Sequence, residues 1–549
     1  MKKNKQTQAR VCFFMFQNEN LFLIKPPIWS KIKAVKTKGC INMIKITGQD
    51  LTLHSFMRVV RFFEKIELSE EATSKVEEAN RRIKAIIGSG KTVYGVNTGF
   101  GKMSDVAISK ADLRLLQENL LKSHACGVGE HFNEEVVRGI MLLRINALAK
   151  GYSGIRLKTL NQLMIYLNER IVPAIPEQGS LGASGDLAQL SHMGLTLLGL
   201  GEVYYENRLM PTSEALVKAN LQPLSGLEAK EGLSLINGTQ AMTSVGAITV
   251  YDAINLAKTA DIAGALSFEA LNGIRDAFFE EVHSVRGQIG QMTVAKNIRR
   301  LTEGSGYSTA QGEIRVQDAY SLRCLAQVHG ASRDALDYVK AKVEIEMNAA
   351  TDNPLVFSED SVISGGNFHG QPLALAFDFL KIAISEFASI SERRIERLVN
   401  PNLNGGLPAF LAKDPGLNSG FMIVQYSAAS LVSENKVLAH PASVDSISSS
   451  ANQEDHVSMG TIAARGARDI LRNAQQVLGM ELFTACQALD LREKKTMGLG
   501  TAPAYQCLRQ DIPFIEKDQI MYYHLNVAKK LVTSNVIVEA ASKAIGSLD

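Results

Sequence analysis

The octapeptide Gly179-Ser180-Leu181-Gly182-Ala183-Ser184-Gly185-Asp186 lies between an extended, proline-punctuated segment, Val172-Pro173-Ala174-Ile175-Pro176, and an apolar run from Leu187 to Leu200 that contains no proline. Three glycines and two serines followed by such a run read as a loop that feeds a helix. The inner tripeptide Ala183-Ser184-Gly185 admits a chemistry that ordinary loops do not. Glycine has no Cβ, so a tight turn can press the Gly185 amide nitrogen onto the Ala183 carbonyl carbon. Closure with loss of two waters, one carrying off the Ser184 hydroxyl, gives a methylidene-imidazolone ring with an electrophilic exocyclic carbon. By residue type alone, a plain turn or a phosphate cradle at a helix N-terminus is far the commoner reading of such an octapeptide.

Around this stretch, 549 residues exceed a single typical core, so two domains or one large helical body are expected. An apolar content of 46% with 21% charged residues is globular. The formal charge of +3 conceals an asymmetry, because residues 1–42 hold nine Lys/Arg against the single acid Glu19. Removing that +8 leaves −5 for residues 43–549, a mildly acidic body with no case for nucleic acid. The basic leader has a broken apolar patch, interrupted by Gln17-Asn18-Glu19-Asn20. It reads as disordered or as an upstream start, with a membrane-surface role as the alternative. Six scattered cysteines without a CxxC pair argue against a zinc site or disulfide framework and for a reducing compartment. No window reaches the roughly 18 to 20 apolar residues of a spanning helix. A cytoplasmic protein without membrane contact is the expectation.

Residues Ser69–Ile87 carry Ala72, Val76, Ala79, Ile83 and Ile86 at helical spacing, with Gly88 as the expected stop. The following Gly88-Ser89-Gly90-Lys91-Thr92 is not a P-loop, since Ala85 stands where the motif needs glycine and a helix precedes it instead of a strand. Neither nucleotide nor metal is expected; Glu454-Asp455-His456 has no second cluster at ligand spacing. Tyr94 to Gly101 (YGVNTGFG) is a glycine-rich loop able to present one aromatic hydroxyl. His124 falls near the end of a helix through Leu116–Ala125, where core histidines are common. Asn237-Gly238 reads as a turn before another helix. If residues 315–323 are helical, Gln317, Tyr320 and Arg323 recur every three residues on overlapping faces. About 30 helical residues, roughly 45 Å, are expected from Gly370 to Asn400.

Six separated strings together, GSLGASGDLAQLSHMGLTLLGLGEV foremost among them, resemble the histidine and phenylalanine ammonia-lyase family over nearly all of residues 43–549. The others are YGVNTGFG, LQENLLKSHACGVG, KEGLSLINGTQ, RVQDAYSLR and QEDHVSM. Ala319 departs from the proline common there, which puts the local geometry near Gln317 in question. The resemblance implies a mainly α fold, a long-helix bundle of the ammonia-lyase/aspartase-like type. It would comprise a smaller N-terminal domain (residues 43–235) carrying the loop and a bundle domain (residues 236–549). It implies a ring formed autocatalytically from Ala183, Ser184 and Gly185, with Asn237 and Tyr320 beside it and Tyr94 or Glu454 as base. Gln317 and Phe368 would bind substrate and Arg323 would clamp its carboxylate. LQENLLKSHACGVG and QEDHVSM resemble the histidine-specific branch, so His124 would face the side chain of an L-histidine substrate converted to trans-urocanate. A homotetramer with shared active sites is implied. The alternatives are a lyase or aminomutase for phenylalanine or tyrosine, and a non-catalytic helical scaffold.

Overall fold

The structure is a computed structural model and describes residues 43–89, 92–99, 101–103 and 106–549. The leader expected over residues 1–42 lies outside the described residues, as do Gly90, Lys91 and Phe100. Residues 43–549 form one compact unit that is mainly helical.

Four long helices, Gln240–Ala270, Leu325–Met347, Gln371–Val399 and Gly460–Leu491, pack against one another as its centre. Small and apolar residues lie on every side of Gln240–Ala270, and 26 of its 31 residues are buried. A helix apolar all round belongs in the interior. Its buried Asp261 is paired, and the buried Glu481 of a neighbouring helix is bonded to its Ser267, since a buried charge needs partners. Asp261 accepts from Arg333 Nη2 at 2.6 Å and Asn297 Nδ2 at 2.9 Å and meets His329 Nδ1 at 2.8 Å. Glu481 accepts from Ser267 Oγ at 2.7 Å and from Arg394 Nη2 at 2.9 Å.

Strands are short, and most precede residue 236. Val172–Pro173 pairs antiparallel with Glu202–Tyr205, and Pro176–Gln178 pairs antiparallel with Val128–His131. The extended segment is therefore fixed in two separate sheets immediately before Gly179, which sets where the loop begins. We propose the division near residues 235 and 236 as a boundary between this strand-bearing part and the bundle.

The helix Gln371–Val399 falls where the apolar run placed it, and Leu113–His124 carries His124 at its last residue. Two expectations fail locally. The helix Glu70–Ser89 runs through Gly88, which tolerates helical geometry at a modest cost. Residues 315–319 are irregular and the helix spans only Tyr320–Arg323, so Gln317 shares no helical face with Tyr320 and Arg323. Arg315 holds that irregular stretch, donating to Asp318 Oδ1 at 2.6 Å and to the Leu271 carbonyl at 2.8 Å.

Candidate active site

The loop residues 179–186 are pinned where three helices begin: Leu187–Leu197, Gln240–Ala270 and Gly460–Leu491. Asp186, fully buried, is the fastener. Its Oδ2 accepts from the backbone nitrogens of Ala241 and Met242, both at 2.9 Å. Thr239, the N-cap of that helix, supplies no side-chain cap, so Asp186 caps it from another segment. Oδ1 of Asp186 accepts from Ser180 Oγ at 2.8 Å and from the Thr461 hydroxyl. Burial raises the Asp186 carboxyl above its ordinary value, and these hydrogen bonds offset only part of that rise. The three N-termini place positive dipole ends around the loop, a setting that favours negative charge.

Within the loop, Ala183 pairs with Gly185 as a one-residue bridge across Ser184. Gly185 sits at φ +79°, and a Cβ there would lie 2.1 Å from the Gly238 carbonyl oxygen. That oxygen accepts from the Asp186 amide at 2.7 Å. No other residue type fits this turn, because a Cβ would run into the neighbouring backbone.

Ser184 opens onto a cavity of about 850 Å³ whose walls include Tyr94, His124, Asn237, Phe368 and Glu454. Ser184 Oγ donates to Glu454 Oε1 at 3.3 Å, and Ser449 Oγ donates to Glu454 Oε2 at 3.1 Å. The Tyr94 hydroxyl accepts from the Gly101 amide at 3.5 Å. Burial raises its pKa; the Gly101 bond lowers it and the Glu454 charge raises it further. His124 pairs with Ser123 Oγ at 2.9 Å, and burial pushes its imidazole below the ordinary value against the pull of the Leu120 carbonyl and Glu454. Asn237 donates through Nδ2 to the Asn353 carbonyl at 2.9 Å, while its buried Oδ1 has no partner among the described residues. A buried acceptor left unpaired on a residue of the cavity wall suits a bound molecule that brings a donor.

Six of the expected residues, Tyr94, His124, Ser184, Asn237, Phe368 and Glu454, therefore share one cavity within a single chain. Gln317, Tyr320 and Arg323 do not line it. They line a second cavity of about 460 Å³. There the Arg323 guanidinium stands 4.6 Å from the centre of the Tyr320 ring, Arg323 Nε has no partner among the described residues, and Tyr320 is 70% exposed.

Sequence reasoning missed what lies beneath the first cavity. Lys230, fully buried, donates to Asp352 Oδ2 at 2.7 Å. Asn353 accepts at Oδ1 from the Gly365 amide at 2.7 Å, fixing the loop that carries Phe368. Arg144 donates to the Asn237 carbonyl at 2.8 Å. A charge inside the apolar run Met141-Leu142-Leu143-Arg144-Ile145 was the available signal, since an arginine there needs buried acceptors. Among the described residues, no group of three or more His, Cys, Asp or Glu could hold a metal, and no helix is long and apolar enough to cross a membrane.

The aromatic amino acid lyase family model matches residues 51–510. Histidine ammonia-lyase from Alkaliphilus oremlandii is 59% identical over 506 residues, covering 92% of this chain and 99% of its own. Histidine ammonia-lyase from Clostridium tetani is 58% identical over 509 residues, with 92% and 99% covered. Among solved structures, tyrosine aminomutase from Streptomyces globisporus superposes with a TM-score of 0.89 at 37% identity, covering 92% of this chain and 100% of that one. Histidine ammonia-lyase from Trypanosoma cruzi gives 0.85 at 41% identity, with 92% and 96% covered.

Proposed function

The chain belongs to the aromatic amino acid lyase family, and from that premise we propose that it eliminates ammonia from L-histidine to give trans-urocanate and ammonium. The observation that carries the reading is the single cavity in which Ser184 meets Glu454, Tyr94, Asn237 and His124. The β-proton of an amino acid is very weakly acidic, and one general base, worth roughly 10²- to 10⁴-fold, is too little to remove it. A 4-methylidene-imidazol-5-one made from Ala183, Ser184 and Gly185 would supply the missing electrophile. The turn fits that group: Gly185 has room for no Cβ against Gly238, and the Ser184 hydroxyl, the atom that would leave, reaches the cavity.

The remaining work falls to side chains of this protein. Tyr94 and Glu454 are the two acceptors in the cavity for the β-proton. Neutral His124 and Glu454 offer the substrate imidazole a partner for each ring nitrogen. Phe368 and Leu116, Leu120, Leu187 and Leu233 surround it and reduce water access. Arg323, half-buried and with its Nε unpaired among the described residues, suits a bidentate carboxylate.

Because Gln317, Tyr320 and Arg323 occupy a separate cavity, this reading requires a second copy of the chain to complete the site, and a homotetramer is the assembly we propose. Helices Leu325–Met347 and Gln371–Val399 support it by exposing an apolar groove with Phe379 and Ile382 at its edge. The test is a direct comparison of urocanate and cinnamate formation by near-UV absorbance on one enzyme preparation. Strong preference for histidine is expected. Equal rates would remove the substrate assignment, and an excess of cinnamate would favour phenylalanine.

A further inference from the structure

Arg144 sits in the middle of the helix Glu134–Ala149, fully buried. Its Nη1 donates to the Asn237 carbonyl at 2.8 Å and to Gln240 Oε1 at 3.0 Å, and Gln240 Nε2 donates on to Thr351 Oγ1 at 2.8 Å. These three side chains enclose Gly238, where a Cβ would fall 2.5 Å from Gln240 Oε1, 2.6 Å from Arg144 Nη1 and 2.7 Å from Thr351 Oγ1. Gly238 in turn is the backbone against which Gly185 is pressed and to which Asp186 is bonded. Arg144 Nε and Nη2 have no partner among the described residues. Core packing alone does not call for a buried, half-paired guanidinium, since an apolar side chain would avoid its desolvation.

We propose that Arg144 is a positioning residue for ring formation, holding Asn237-Gly238 as the ledge that compresses the Ala183-Ser184-Gly185 turn. The proposal rests on the ring-forming reading above. In that reaction the Gly185 nitrogen adds to the Ala183 carbonyl carbon, forming the N–C bond of the ring. The Ala183 oxygen leaves as water with protons from the Gly185 and Ser184 nitrogens, leaving a C=N bond. A second water takes Ser184 Oγ and the Ser184 Cα proton, leaving the exocyclic C=C bond. No oxidant is consumed. The rate of the first step depends on how closely the two backbone groups are held, and a ledge that yields slows it.

The control is Arg138, on the same helix and also buried, which donates instead to the carbonyls of Leu167 at 2.9 Å and Val59 at 2.7 Å, neither of them in the loop. The full-length parent, Arg144→Lys, Arg144→Gln and Arg138→Lys would be produced in timed expression. The soluble protein would be weighed intact, with circular dichroism and thermal unfolding alongside. Lysine keeps charge and bulk but cannot hold both Asn237 and Gln240 in the planar geometry of a guanidinium. The expected result is processing at least tenfold slower in Arg144→Lys, and slower still in any soluble Arg144→Gln. Arg138→Lys should lower the unfolding temperature while processing at the parent rate. A folded Arg144→Lys that loses two waters as fast as the parent would overturn the proposal, as would equal slowing in Arg138→Lys. A parent that never loses the waters would instead defeat the ring-forming reading itself.

Discussion

His124 and Glu454 reach one cavity from positions far apart in the chain, and burial keeps the His124 imidazole neutral at neutral pH. A phenyl ring would offer neither group a hydrogen-bond partner in place of the water it displaces, at about 1–3 kcal/mol for each neutral group. His124→Leu should therefore erode the preference for histidine over phenylalanine by about 10- to 100-fold in the ratio of kcat/KM values, with the fold intact. An unchanged ratio would remove His124 from substrate recognition. Glu454→Gln should cut histidine turnover as well, because it removes one of the two acceptors in the cavity for the β-proton. Tyr94, His124, Ser184, Asn237 and Glu454, which share one cavity, could be picked out in the sequence because each sits in a motif string, and Phe368 because the family resemblance implied it. Arg144, Lys230 and Asp352 could not. Arg144 holds backbone 93 residues away, and Lys230 and Asp352 pair across 122 residues of chain.

Among the elements, the long helices were readable from apolar runs, whereas the ends of short ones were not. Gln317 shows why: spacing by threes is meaningful only on a helix, and Arg315 anchors residues 315–318 as irregular backbone instead. What the helices carry inside is testable. Burial tends to raise the Asp261 carboxyl, but Arg333, His329 and Asn297 outweigh it and leave its pKa below the ordinary value. The sign follows from linkage. A carboxyl depressed in the folded state adds stability above the unfolded value near 3.9, and that contribution is lost as pH falls through the folded value. Asp261→Asn should cost about 3–5 kcal/mol at neutral pH by leaving Arg333 without its buried partner. Thermal unfolding should show the gap between parent and variant narrowing as pH drops below about 4. A gap independent of pH would mean that the cost is steric.

For the whole molecule, one chain places Ser184 with Tyr94 in one cavity and Arg323 with Tyr320 in another. Mixing Tyr94→Phe with Arg323→Ala, each inactive alone, should regenerate about a quarter of parental activity at most if sites are shared pairwise between randomly mixed copies. Sedimentation of the active species should give a tetramer. A fully active monomer would contradict the shared site. This division was implied by sequence resemblance but not by any local pattern, since periodicity within a chain carries no information about which copy a residue serves.

The most direct measurement is the intact mass of the purified protein beside that of Ser184→Ala, with peptide mapping across residues 183–185. The parent should be lighter than its sequence by two waters, confined to that tripeptide, whereas Ser184→Ala should fold and assemble, lack the Ser184-derived water loss and have no turnover. A parent of full, unmodified mass that still releases ammonia from histidine would contradict the account.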